Sequence, residues 1–77
     1  MALITDASTS WSTPITLTAD EVWQARWGSV YVTTTESPAA DDGISLHENH
    51  AVRFSAGSTV RYRKDGITDA LIAREAV

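Results

Sequence analysis

Thr18-Ala19-Asp20-Glu21-Val22-Trp23-Gln24-Ala25-Arg26-Trp27-Gly28 admits two readings, and the choice between them decides the fold. As a helix, Thr18 would cap the N-terminus and Glu21 would reach back to it, the reciprocal pattern of a capping box. Val22, Trp23 and Trp27 then recur at helical spacing, and Gly28 stands where a helix C-cap would. As a strand, the same residues place Trp23, Ala25 and Trp27 on one face and Val22, Gln24 and Arg26 on the other. The strand is preferred because the flanking segments read as strands and neighbouring elements usually pair. One short helix at about 19–27 stays as the alternative.

Gly28-Ser29-Val30-Tyr31-Val32-Thr33-Thr34-Thr35, which follows directly, is the clearest strand, because β-branched and aromatic residues dominate it. Ile15-Thr16-Leu17-Thr18 alternates apolar and polar, as does Ile44-Ser45-Leu46. Between Thr35 and Ile44, Glu36-Ser37-Pro38-Ala39-Ala40-Asp41-Asp42-Gly43 reads as a loop punctuated by Pro and Asp-Gly. Ala51-Val52-Arg53-Phe54, Thr59-Val60-Arg61-Tyr62-Arg63 and Asp69-Ala70-Leu71-Ile72-Ala73-Arg74 complete the set. Short strands at this spacing predict an all-β fold, a small antiparallel β-sandwich or barrel.

The stretch from Val52 to Arg63 allows a finer expectation. A three-residue loop Ser55-Ala56-Gly57 pairs Val52 with Val60 and Phe54 with Ser58, and puts Gly57 at the left-handed position such loops need. The apolar face then carries Val52, Phe54, Val60 and Tyr62. The opposite face gathers Arg53, Arg61 and Arg63 into a basic patch on a chain of net charge −4. Exposed charges of this kind commonly do no more than keep a sheet edge from aggregating. Arginine also suits interfaces, because its planar fork grips carboxylates. Asp20, Glu36, Asp41 and Asp42 would be the complementary acids on an identical neighbour.

Residues 1–14 read as an extended N-terminal arm ahead of a single β domain at 15–77. Thr5, Ser8, Thr9, Ser10, Ser12 and Thr13 fill the arm with short polar side chains, which compete with regular pairing. Pro14 biases Thr13 toward extended backbone. Trp11 does not fit a solvated tail and must dock, on its own domain or on a neighbouring chain.

Size and composition exclude several classes. Seventy-seven residues make at most one domain, too few for layered dinucleotide-binding sheets. The chain has 0 cysteines, which removes disulfides and thiolate metal cages and fits a reducing compartment. A small domain without such staples often gains stability from neighbours in an oligomer. The sequence shows neither a secretory signal nor an apolar run of about 18 residues, so no membrane segment is expected. A pI of about 4.8 argues against coating nucleic acid by charge.

Candidate chemistry is sparse. His47-Glu48-Asn49-His50 has metal-ligand character, but on a strand the two imidazoles point to opposite faces. They meet only if Glu48-Asn49 forms a turn; otherwise the segment is a polar turn with His50 packing near Tyr62. Asp41-Asp42-Gly43 lacks the alternating oxygen ligands of a calcium loop and reads as a turn. Trp11, Trp23 and Trp27 would suit a carbohydrate platform, though in a small β domain tryptophan more often serves core or interface. No catalytic residue, metal ligand set or cofactor is expected.

The runs Gly28-Ser29-Val30-Tyr31-Val32-Thr33-Thr34, Asp42-Gly43-Ile44-Ser45-Leu46 and Val52-Arg53-Phe54-Ser55-Ala56-Gly57-Ser58-Thr59-Val60-Arg61-Tyr62-Arg63 resemble small all-β structural proteins of tailed bacteriophages. The likeness is one of style and covers residues 15–77. It implies a non-enzymatic virion protein, foremost a capsid decoration or cement protein. The implied partners are the major capsid protein or other virion proteins and further copies of itself, with no direct contact to nucleic acid or membrane. The implied location is the capsid surface, after synthesis in the host cytoplasm. Trp11, Arg53, Arg61, Arg63, Asp41 and Asp42 are the expected interface residues. A head–tail or tail component is the nearest alternative, and a ligand- or metal-binding β-barrel module using His47 and His50 the next.

Overall fold

The ambiguous segment is a strand. In the computed structural model, which describes residues 2–66 and 68–77, Glu21–Trp27 is extended and buries Trp23 and Ala25 completely. Met1, the first residue of the expected arm, lies outside the described residues. Among the described residues eight strands follow in chain order: β1 Ala2–Ile4, β2 Ile15–Thr16, β3 Glu21–Trp27, β4 Val30–Thr33, β5 Ile44–Leu46, β6 Ala51–Phe54, β7 Thr59–Lys64 and β8 Leu71–Ala76. No helix occurs among the described residues.

The strands form two four-stranded antiparallel sheets, a small β-sandwich. One has the order β1-β8-β3-β6, the other β2-β7-β4-β5. Of the consecutive strands, only β4 and β5 are neighbours in one sheet. Every other connection carries the chain across to the opposite sheet.

That alternation overturns the expected hairpin. Val52 pairs with Trp23 of β3 and Val60 pairs with Ile15 of β2, so β6 and β7 lie in different sheets. The turn chemistry was read correctly: Gly57 has φ 88° and the Ser58 amide bonds the Ser55 carbonyl at 3.1 Å. The turn makes a corner rather than a hairpin because its partner is another corner, residues 17–20. Leu17 bonds Ser58 and Gly57 through the main chain at 2.9 and 2.8 Å, and Asp20 Oδ1 accepts the Ala56 amide at 2.8 Å. The predicted apolar face survives the change, since side-chain alternation depends on the strand and not on its partner. Phe54, Val60 and Tyr62 are buried and Val52 packs against them.

Glu21–Trp27 departs from strict alternation near its end. A register shift between Ala25 and Trp27 against β8 turns Trp27 out of the core, where it is 57% exposed. The expected common face of Trp23, Ala25 and Trp27 therefore ends at Ala25. Gly28 then makes the tight crossing to β4 with φ 69°. A Cβ there would stand 2.6 Å from the Asp69 carbonyl oxygen, so only glycine fits.

The core lies between the sheets. Trp23, Val30, Val32, Val60 and Ile72 are its largest fully buried members. Trp23 meets Phe54 edge to face, ring centroids 5.6 Å apart, and Tyr62 at 6.2 Å. The Tyr62 hydroxyl donates to Asp6 at 2.7 Å. Burial, with that carboxylate beside it, pushes the phenol pKa up to about 12.

Residues 2–14, expected to extend as an arm, run along one side of this sandwich. β1 pairs with β8 and sinks Ile4 into the core. Ser8 accepts from the Lys64 amide at 2.8 Å, and Ser12 exchanges two bonds with the Tyr62 main chain at 2.9 and 3.0 Å. The segment thus borders both sheets. Removing it would strip a core residue as well as an edge.

Candidate functional site

The six residues expected at an interface separate into two places. Arg53 belongs to β6 in the first sheet, whereas Arg61 and Arg63 belong to β7 in the second. The single basic patch is therefore corrected: the three arginines do face away from the core, but from opposite sheets. The cause is the corner at 55–58.

Trp11, Arg63 and Asp42 come together on the outer face of the second sheet. Tyr31 and Arg63 are cross-strand partners, which sets the guanidinium 4.2 Å from the Tyr31 ring centroid. The Trp11 ring lies 5.2 Å from the same guanidinium. Both separations are within the range of a cation–π contact. Arg63 also donates to the carbonyls of Lys64 and Ala40, and Trp11 Nε1 donates to the Ala39 carbonyl at 2.9 Å. The Arg63 Nε atom is buried with no hydrogen-bond partner among the described residues. Arg61 holds the other end of the β4–β5 loop through the Thr35 carbonyl at 3.2 Å. Asp42 closes that loop on itself, accepting the Ala39 amide at 2.8 Å, while Asp41 stays exposed. Gly43 passes beneath Trp11, where a Cβ would meet the ring at 3.0 Å and the Val32 carbonyl oxygen at 2.8 Å. The arrangement clamps the N-terminal segment and the β4–β5 loop onto one sheet. Tyr31 was not among the expected interface residues; its place opposite Arg63 follows only from the β4–β7 register.

This clasp has a measurable worth. Trp11→Ala removes a half-buried ring, one hydrogen bond and one cation–π contact, and should lower stability by about 1–2 kcal/mol. Amide exchange should quicken in residues 8–12 and 39–43 and stay unchanged in β3 and β8. Uniform quickening throughout the chain would show that the clasp is not a local unit.

Arg53 has different surroundings. It bridges Asp20 at 3.0 Å, with both side chains well exposed. The Asp20 carboxyl is held below its usual value by the Ala56 amide and then by Arg53. Such a surface pair contributes little to stability and leaves Arg53 able to engage a second carboxylate.

No family model, no curated protein and no solved structure matches the chain. The functional reading therefore rests on the geometry of this molecule.

The histidine segment meets the condition set by its sequence. Glu48-Asn49 is a turn, with Asn49 at φ 72° and the His50 amide bonded to the His47 carbonyl at 2.9 Å. The two imidazole centroids come to 5.6 Å. His47 Nδ1 pairs with Ser29 Oγ at 3.2 Å, and His50 Nδ1 accepts the His47 amide at 3.4 Å. Among the described residues, no group of three or more His, Cys, Asp or Glu side chains is placed to hold a metal ion.

A surface that the sequence reading missed is the outer face of the first sheet. The strand registers line up Leu3, Ala73, Gln24 and Ala51 straight across all four strands. The next row holds Glu75, Val22 and Arg53. An outer face of an antiparallel sheet is ordinarily polar. Here Val22, Ala73 and Ala51 sit among Gln24, Arg26, Glu75 and Arg53, and Leu3 and Val77 remain 50% and 65% exposed. The signal was present in β8, where Leu71 and Ala73 alternate with the buried Ile72 and leave apolar residues on both faces.

Proposed function

We propose that this chain is a non-enzymatic structural protein of a bacteriophage virion, foremost a capsid decoration or cement protein. In this reading it is made in the host cytoplasm, docks on the capsid surface and ties neighbouring subunits together, with the major capsid protein and further copies of itself as partners. The observation that supports it is the placement of exposed apolar side chains. Leu3, Val77, Trp27 and Ile44 are all at least half exposed on a body of only 8.3 kDa. Leu3 and Ile44 lie on the edge strands β1 and β5. Apolar side chains exposed at the edges of both sheets and at strand ends suit a subunit that is covered by neighbours. The clasp of Trp11 and Arg63 fits the same role by holding the long loop and the N-terminal segment in one fixed shape, which lowers the ordering cost of docking.

Cosedimentation with shells of the major capsid protein tests the reading. Saturable binding, weakened by Leu3→Asp, is expected. Failure to bind shells, together with labelling at the tail or neck of intact particles, would move the assignment to a head–tail or tail component.

A second reading has its own observation, the approach of the His47 and His50 rings. It makes the chain a metal-binding module. Stoichiometric zinc on purified protein, lost in His47→Ala, would establish it against the structural role.

A further inference from the structure

We propose that the outer face of the β1-β8-β3-β6 sheet binds a second copy of the chain about a two-fold axis running nearly along β3. The inference deepens the assembly reading and rests on it for the association of copies. Its geometry comes from the strand registers alone.

Val22 lies at the middle of a row, with Glu75 beside it on β8 and Arg53 beside it on β6. Strands in a sheet are about 4.8 Å apart, so the acid and the base stand equally far from Val22 on opposite sides. A two-fold axis over β3 exchanges those two sides. It brings Glu75 of each copy opposite Arg53 of the other, two opposite-charge pairs from one operation. The same operation sets Val22 against Val22 and Gln24 against Gln24, and it brings the Arg26 side chains of the two copies to the same side, a like-charge approach that the two Glu75–Arg53 pairs outweigh. In the row above, Ala73 comes opposite Ala51 of the second copy. The two alanines border a groove of 380 Å³ on this face, which Val22, Gln24, Arg26, Glu75 and Val77 also line. Inclining the axis by about 15° to β3 lets the sheets cross near 30°, the common angle for aligned sheet packing.

The available area is sufficient. The body measures 31 × 25 × 17 Å, and two sheets packed about 10 Å apart account for its short dimension. A slab of that shape carries roughly a fifth of its 4490 Å² surface on each broad face, close to the 800 Å² or so per partner of a standard interface. Arg53 is free to serve because its bridge to Asp20 is a well-exposed one. A second copy fits better than an unrelated protein because one face supplies both halves of each charge pair.

Complementary charge reversal tests this. In a Glu75→Arg dimer, arginine would face arginine twice, and in an Arg53→Glu dimer glutamate would face glutamate twice. Each variant alone should dimerise at least about tenfold more weakly than the wild-type chain, measured by sedimentation across micromolar concentrations. In an equal mixture of the two, both pairs are of opposite charge, so the heterodimer should recover wild-type affinity. Ala51→Trp, at an exposed position facing Ala73, should also give a monomer and serves if a charge variant fails to fold. A wild-type chain that is monomeric throughout, variants that associate like wild type, or a mixture that stays monomeric would each overturn the proposal. Shell binding is scored separately: a chain that binds shells but shows any of those results loses this face and keeps the structural role. A dimer that responds as expected yet ignores shells keeps the face and loses the role.

Discussion

Trp23→Ala lowers the stability of the fold by about 3–5 kcal/mol, whereas Trp27→Ala changes it by less than about 0.5 kcal/mol. Both are tryptophans on β3, four positions apart, and their difference is burial. Trp23 is fully buried, meets Phe54 and Tyr62, lies 5.1 Å from the Arg74 guanidinium and donates its indole N–H to Glu21 at 3.0 Å. Truncation opens a cavity between the sheets and leaves Glu21 short of a donor. A domain of this length has a net stability of only about 4–12 kcal/mol, so the loss removes a large share of it. Trp27 is turned outward by the bulge and contributes little to the core. Denaturant titration followed by circular dichroism measures both. Equal effects at the two positions would mean that the bulge does not exist in solution.

How much of this was legible in the sequence depended on the range of the interaction. Alternation is local, so the strands at 28–35, 51–54 and 59–63 and the inward face of Phe54, Val60 and Tyr62 could be read directly. Segment 19–27 was harder because its capping-box residues are real but otherwise engaged. Glu21 bonds Arg74, far along the chain, and does not cap a helix. The sheet to which each strand belongs was not legible. Ser55-Ala56-Gly57 fits a hairpin and a corner equally well, and only its bonding to residues 17–20 decides between them. That one error moved Arg53 away from Arg61 and Arg63. Segment 2–4 is too short to show a period, and it becomes a strand only because β8 offers an edge. The histidine turn was legible as a condition, since the rings could meet only through Glu48-Asn49. The outer face of the first sheet was hidden because it is assembled from single residues on four strands.

Glu21→Gln costs about 2–3 kcal/mol at neutral pH and flattens the acid limb of the stability curve. Glu21 accepts from Arg74 Nε at 2.9 Å, Arg74 Nη2 at 3.1 Å and Trp23 Nε1 at 3.0 Å. Both charged side chains are largely buried, 13% and 24% exposed. The Arg74 hydrogen bonds hold the Glu21 carboxyl below its ordinary 4.5, against the opposing effect of burial, and the Trp23 bond adds to them. A carboxyl whose pKa is lower folded than unfolded binds fewer protons in the folded state. Its contribution is therefore complete above about pH 4.5 and falls away as the pH drops through the folded value. The amide cannot titrate, so the wild-type and Glu21→Gln curves should differ most near neutrality and converge in acid. A constant gap down to the acid limit would show that Glu21 is not the titrating group. Replacing both partners, Glu21→Leu with Arg74→Leu, separates the charge pair from the packing beneath it. A buried pair exchanged for apolar side chains leaves no unpaired charge, so the double variant should be more stable than either single one. The largest loss should come from Glu21→Leu alone, because Arg74 then lies over the Trp23 ring with no carboxylate to neutralise it.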